Sequence, residues 1–182
     1  ARASLSPVEL ASIEKLEDVA DKDGNKQLFD SLAKTAYSFK KPELAAWYYE
    51  QSAIKNGSSE NWFTAGNGYY IAARFVNEKV RPVFYAKAID CLEFSLKADS
   101  SNLKTKTTLG AAYVEGTSNP MKGIGMLKEV VAADSNNIEA HLNLALFSEK
   151  SGQFDKAIMR FHKVLNIDPS YLEAYLHMAD AY

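Results

Sequence analysis

The sequence predicts an all-α fold, built as a short array of repeated helix pairs, and three observations support this. Two amphipathic stretches with helical spacing flank Gly152. The pattern that begins at Ile138 begins again at Leu172, 34 residues later, and Ala140 recurs at the same interval as Ala174. Hydrophobic residues make up 47% of the chain and charged residues 24%, which indicates a packed core and not a disordered chain.

The same period extends toward the N-terminus. We predict an N-terminal capping helix and turn over 1–24 and a repeat array over 25–182, divided at about 25–58, 59–102, 103–137, 138–171 and a partial repeat at 172–182. The repeat at 59–102 is 44 residues long because a loop is inserted between its two helices. Ser6 and Pro7 fit the N-cap and first residue of the capping helix.

Small residues at repeated positions predict where the helices cross, because backbones approach closely only where side chains are small. The positions are Gly66, Gly110, Ala145 and Ala179 on the first helices and Ala45, Ala88, Gly123 and Ala157 on the second helices. Large side chains are expected to fill the spaces between, each contributing about 1.5–3 kcal/mol when fully buried. They are Trp62, Tyr113, Phe161 and Tyr175.

This period, with two helices around a glycine turn and small residues at the crossings, resembles the tetratricopeptide repeat (TPR) family. The resemblance implies a right-handed α–α superhelix, a TPR solenoid, of about four and a half repeats with an N-terminal capping helix. It also implies a non-catalytic scaffold or adaptor that binds a protein segment in a concave groove. The partial last repeat lacks a second helix, so we expect the native chain to continue, and Tyr175, Met178 and Ala179 to pack inward beside an uncovered apolar patch.

Composition excludes several other classes of protein. The formal net charge of −2 does not favour nucleic acid or an anionic membrane as a partner. Cys91 is the only cysteine, which excludes an internal disulfide and a CxxC-type metal site. The longest apolar stretch is far too short to insert into a membrane. A soluble protein is expected, but the cytoplasm and the periplasm both stay open, since any export signal would lie outside this sequence.

No metal site is predicted. Asp21, Asp23 and Asn25 match the opening of an EF-hand calcium loop, but Lys26 replaces the turn glycine and Leu32 replaces the bidentate glutamate. A polar turn between two helices therefore explains the segment better. The three histidines share no metal-ligand spacing; they are His141, His162 and His177.

No catalytic site or cofactor is predicted either. The sequence has no arrangement that suggests a Ser/His/Asp or Cys/His nucleophile, and its glycines lack the spacing of a phosphate-binding loop. Cys91 lies in the middle of a predicted helix beside Leu92, where a packing role is expected.

By position, the TPR resemblance places ligand contacts on first-helix residues that face the groove. The predicted groove residues are Phe63, Asn67, Tyr70, Thr107, Thr108, Ala111, Leu142, Asn143, Leu146, Leu176 and His177. Their mixture of amides and apolar side chains suits an extended peptide, because an asparagine amide can pair with both N–H and C=O groups of a main chain. A plainer interpretation, that these side chains are only solvated, stays open.

The groove does not match the carboxylate clamp of chaperone-binding TPR proteins. In the first three repeats the clamp positions hold Asp30, Lys34, Thr64, Lys104 and Thr108, which lack the Lys, Asn and Arg pattern. Two other functions also fit the sequence. One is a self-assembly or structural module that associates end to end, and the other is a recruiting arm of a larger enzyme or membrane assembly.

Overall fold

The structure, a computed structural model, describes residues 5–23, 26–55 and 57–181. Every regular element in these ranges is an α helix, which confirms the all-α prediction. The helices are α1 (Pro7–Asp23), α2 (Lys26–Ser38), α3 (Pro42–Lys55), α4 (Ser59–Ala72), α5 (Arg81–Ala98), α6 (Leu103–Gly116), α7 (Pro120–Ala133), α8 (Ile138–Lys150), α9 (Phe154–Ile167) and α10 (Leu172–Ala181). Gly24 and Asn25, part of the calcium-loop pattern, lie outside the described residues.

The helix starts follow from local side-chain chemistry. Ser6 and Glu9 form a reciprocal capping box: Glu9 Oε2 accepts from the Ser6 N–H at 2.8 Å, and Ser6 Oγ accepts from the Glu9 N–H at 3.4 Å. These hydrogen bonds lower the pKa of the Glu9 carboxyl. Ser58 caps α4 and Asn137 caps α8, each by accepting from a backbone N–H in the first turn. Pro120 is the first residue of α7.

The chain forms two compact units, one up to Thr108 and the other from Leu109. In the first unit, Ile13, Leu32 and Tyr48 are fully buried. The Tyr48 hydroxyl donates to the Glu17 carboxylate and so links α3 to α1. The loop between α4 and α5 is closed by Arg81, whose Nε donates to the Ala73 carbonyl at 3.2 Å.

One carboxylate connects three helices of the first unit. Glu50 on α3 accepts from the Tyr69 hydroxyl on α4 at 2.5 Å and from Lys87 Nζ on α5 at 2.7 Å. Burial above all, and then the bond to Glu50, raise the pKa of Tyr69 well above its ordinary value, so the phenol stays protonated and donates. Cys91 lies nearby and is buried, which raises the pKa of its thiol to about 12.

The second unit contains the predicted close approach of α6 and α7. Gly110 and Gly123 face each other there, and a Cβ built on Gly123 would lie 2.2 Å from the Gly110 carbonyl oxygen. Further along, Phe161 of α9 is fully buried among apolar side chains of α8, α9 and α10, with Ala145 and Ala174 beside it. The predicted small residues at these crossings are therefore buried where helices meet.

Two expectations for the last helix are wrong. Tyr175 is 49% exposed, and Ala179 is exposed as well, whereas Ala174 is fully buried. Among the described residues α10 packs mainly against α9 and to a smaller extent against α8. Ala174 faces this contact, whereas Tyr175 and Ala179 do not. Trp62 and Tyr113, also expected to fill the core, are half-buried.

Candidate functional site

The first unit has a polar recess between α2, α3 and α4, with a volume of about 230 Å³. The lining side chains, which define this polar recess, are Asp30, Lys34, Tyr49, Ser52, Asn61 and Thr64. Asp30, Lys34 and Thr64 are three of the positions considered above for a carboxylate clamp. The structure places them around one concavity, although their chemistry is not that of the clamp.

Hydrogen bonds organise the floor of the polar recess. Ser52 is buried, and its hydroxyl donates to Asp30 Oδ1 at 2.6 Å, which holds the carboxylate in place. Burial, followed by the negative charge of Asp30, raises the pKa of the Tyr49 phenol, so this hydroxyl is a neutral donor. Lys34 is exposed, and within the described residues its ammonium has no carboxylate partner. The recess therefore presents a free cation next to a fixed carboxylate.

Sequence reasoning missed Tyr49, Ser52 and Asn61 as possible site residues. Tyr49 and Ser52 are three positions apart and so lie on the same face of α3, which is the second helix of its pair. The TPR resemblance directed attention to first helices only. A helical-periodicity argument could have grouped these two residues, but only the structure shows which face of α3 borders α4.

The predicted groove residues of the first unit are mostly covered. The Phe63 ring is buried, with Lys104 Nζ 4.4 Å from its centroid. Tyr70 is buried too; its hydroxyl accepts from Arg74 Nη2 at 3.1 Å. Asn67 is half-buried on the same helix. A ligand in this part of the groove would therefore meet Asn67 and the Lys104 ammonium before it met either ring.

The two predicted threonines are turned toward their own helix. Thr107 Oγ1 donates to the Leu103 carbonyl at 2.8 Å and Thr108 Oγ1 donates to the Lys104 carbonyl at 3.3 Å. Both side chains are buried. Threonines in helices commonly satisfy their hydroxyls in this way, which leaves little capacity for a ligand.

In the second unit the predicted groove residues divide into core and surface. Ala111 and Leu142 are buried, and Leu146 packs against the same apolar cluster as Leu142. Asn143 is half-buried, and its Nδ2 donates to the Glu139 carbonyl at 2.8 Å. Leu176 is 60% exposed. Of these five residues, Leu176 is the one most available to a partner.

His177 has a well-defined environment on α10. Its ring stacks on Phe161, with centroids 5.6 Å apart and planes inclined by 7°. His177 Nδ1 lies 3.0 Å from Glu149 Oε2, but the two atoms do not align as a hydrogen bond. Since the ring covers Phe161, we assign His177 a packing role in addition to its predicted place in the groove.

The other chemistry considered from the sequence is dispersed. His162 is exposed and His141 is buried on a different helix. Among the described residues no group of three or more His, Cys, Asp and Glu side chains is arranged to hold a metal ion. None of the described helices is both long enough and apolar enough to cross a lipid bilayer.

Neither the comparison with protein-family models nor the comparison with curated protein sequences found a match. Solved structures do resemble the chain. A TPR protein of Thermus thermophilus aligns with a TM-score of 0.71 and 16% identity over 95% of this chain and 90% of its own. A TPR protein of Parabacteroides merdae gives a TM-score of 0.71 and 16% identity over 96% of this chain and 66% of its own.

A third solved structure is YrrB, described as a TPR protein with an unusual peptide-binding site. It aligns with a TM-score of 0.57 and 21% identity over 93% of this chain and 83% of its own. These likenesses show that the chain has the TPR fold, and they confirm the fold class predicted from the 34-residue period.

Proposed function

We propose that this chain is a non-catalytic protein-interaction scaffold that binds an extended protein segment, with the polar recess of the first unit as its main contact site. The observation that supports this most directly is the polar recess itself. Side chains from α2, α3 and α4 converge there on a concavity of about 230 Å³, and Lys34 has no carboxylate partner among the described residues. The TPR fold adds support, since such folds commonly bind protein segments along their helices.

The chemistry of the recess suits a peptide main chain. An extended segment presents alternating N–H and C=O groups, which need acceptors and donors close together. Asp30 supplies a carboxylate acceptor held by Ser52, while Tyr49 and Lys34 supply donors. Asn67 does not line the recess, but it follows Thr64 by three positions on α4, so it lies on the same side of that helix with an amide that can both donate and accept. This arrangement predicts binding with modest dependence on the side chains of the partner.

The probe is a peptide selected for binding to this protein from a random display library. Replacing Lys34 and Asn67 together by alanine should weaken its binding at least about tenfold, which corresponds to about 1.4 kcal/mol of binding free energy. The measurement is the dissociation constant of the labelled peptide by fluorescence anisotropy. Lys128→Ala is the matched control, because Lys128 is exposed on α7 in the other unit. Unchanged affinity in the double variant, with a folded helical spectrum, would place the binding site elsewhere.

A second candidate function is self-assembly through α10, and exposed apolar side chains on this helix favour it. Leu172 is 68% exposed, Leu176 is 60% exposed, and Tyr175 lies between them on the chain. Contiguous exposed apolar surface often marks an interaction site. A second copy of the chain would cover these side chains, although the end-to-end association expected from the sequence placed Tyr175 in the core and Leu176 in the groove.

Sedimentation velocity over a range of concentrations separates this alternative from the first. If α10 mediates assembly, Leu172→Glu with Leu176→Glu should shift the chain to monomer, because two carboxylates would be buried without partners. Val83→Glu, which adds one charge at an exposed apolar position of α5, should leave the distribution unchanged. A parent chain that is already monomeric at high concentration would eliminate the self-assembly alternative.

A further inference from the structure

The second unit has a separate concavity, here called the basic recess, between the end of α7, the start of α8 and the outer side of α9. Its volume is about 720 Å³. Its lining includes His141, Arg160, Lys163, Val131, Ile158 and Met159. None of these is a predicted groove residue, and all of them belong to the second unit, whereas the polar recess belongs to the first.

The basic recess opens on a different side of α8 from the predicted groove. His141 and Asn143 are two positions apart, so their side chains point about 200° apart around the helix axis. On α9, Phe161 and Val164 face the core, whereas Met159 is 63% exposed. The recess is therefore built on the solvent-facing side of the second helix of its pair.

Two cationic side chains, Arg160 and Lys163, line this recess, and neither is paired with a carboxylate of the described residues. Arg160 and Lys163 are both half-buried, and within the described chain neither forms an ion pair. Burial lowers the pKa of the Arg160 guanidinium, which reflects the cost of removing its charge from water. The recess also contains Asp155, but this side chain is exposed and lies within the first turn of α9.

His141 on α8 also lines the recess, and the charges of Arg160 and Lys163 act on its imidazole ring. Burial is the main cause that lowers the pKa of His141, and the charges of Arg160 and Lys163 lower it further. The hydrogen bond with the Ser135 carbonyl and the charge of Asp134 act in the opposite direction. Nε2 makes that bond at 3.1 Å, whereas Nδ1 is buried and has no hydrogen-bond partner within the described part of the chain.

We propose that the basic recess binds an acidic protein segment, with a Glu or Asp side chain on Arg160 and Lys163 and an adjacent apolar side chain on Val131, Ile158 and Met159. A guanidinium forms strong paired hydrogen bonds with a carboxylate, particularly where it is partly removed from water. Val131, Ile158 and Met159 line the same recess as the two cations. A ligand that made only ionic contacts would leave these three apolar side chains exposed to water. Together they match a carboxylate next to a hydrophobic residue.

An anionic membrane fits these observations less well. A bilayer presents its phosphates on a flat surface, whereas the guanidinium and ammonium lie within a concavity that a chain can enter. A protein segment is therefore the occupant that the geometry favours.

The probe is a set of fluorescein-labelled, end-blocked hexapeptides that alternate Glu with Leu, Ile, Val, Met or Phe, together with the same set with Gln in place of Glu. We expect at least one Glu peptide to bind with a dissociation constant below about 1 mM, at least tenfold more tightly than its Gln counterpart. Arg160→Gln and Lys163→Gln should each weaken that binding by at least about fivefold. Lys128→Gln, at an exposed lysine of α7 that does not line the basic recess, should leave it unchanged.

Thermal melts of the same variants show whether lost binding reflects lost structure. Because Arg160 and Lys163 have no ion-pair partner among the described residues, either Gln substitution should leave the melting temperature unchanged or raise it. The proposal is overturned if no Glu peptide binds, or if Gln peptides bind equally well. The proposal is overturned too if the Arg160→Gln and Lys163→Gln variants are folded and bind the Glu peptides as tightly as the parent protein does. It is also overturned if vesicles with phosphatidylglycerol bind through Arg160 while the peptides do not.

Discussion

Gly123→Ala should lower the free energy of unfolding by about 2–3 kcal/mol, although alanine is the better helix former. An added Cβ would lie 2.2 Å from the Gly110 carbonyl oxygen and 3.0 Å from the Tyr113 Cβ. Neither atom can be moved by a rotamer change, because one is backbone and the other is attached directly to it. The two helices would have to separate, which would weaken packing along the whole contact between α6 and α7.

Gly125→Ala is the matched control in the same helix. A Cβ at Gly125 would meet nothing within 4 Å, so only helix propensity changes, and stability should rise by about 0.5–1 kcal/mol. Urea titrations followed by circular dichroism give both values. We expect Gly123→Ala to lower the free energy of unfolding and Gly125→Ala to raise it. A Gly123→Ala variant as stable as the parent would contradict the close approach of α6 and α7.

Phe161→Ala should lower the free energy of unfolding by about 3–5 kcal/mol. Phe161 is fully buried, belongs to the apolar cluster of α8, α9 and α10, and supports the stacked ring of His177. Removing the ring leaves a cavity, and His177 loses its packing partner. Since repeat arrays can unfold in parts, the loss should be largest in the second unit.

Phe154→Ala is the control for Phe161, because it removes the same ring from the first residue of α9, where it is about half exposed. Its effect should stay below about 1 kcal/mol. Hydrogen exchange resolved along the chain can compare amides of α8 to α10 with those of the first unit. If the Phe161→Ala and Phe154→Ala variants lose similar amounts of stability, Phe161 is not the centre of this cluster.

The fold was predictable because its determinants are repeated. A substitution can obscure one copy of a pattern, but small residues such as Gly66, Gly110 and Ala145 recur where helices cross, and the structure buries all three. The large residues were less predictable. Phe161 is buried and Tyr175 is half exposed, although both were expected to fill the core, because burial also depends on which neighbouring helix covers the residue.

The candidate sites were predicted less well, for a physical reason. Position in a repeat indicates which side of a helix a residue occupies, but it does not indicate how the side chain uses its hydrogen bonds. Thr107 and Thr108 sit at predicted groove positions, yet both hydroxyls donate to carbonyls of their own helix. Conversely, Ser52 and Arg160 lie on second helices, where a repeat-based argument did not look for ligand contacts.

The buried thiol of Cys91 makes the chain well suited to site-specific labelling. Maleimide reagents attack the thiolate, and a pKa of about 12 keeps this form scarce at neutral pH while burial restricts access. Since the sequence has no other cysteine, one introduced at exposed Met159 would be the preferred point of attachment in the native protein. An environment-sensitive dye at that position would report occupancy of the basic recess, without removal of the native cysteine.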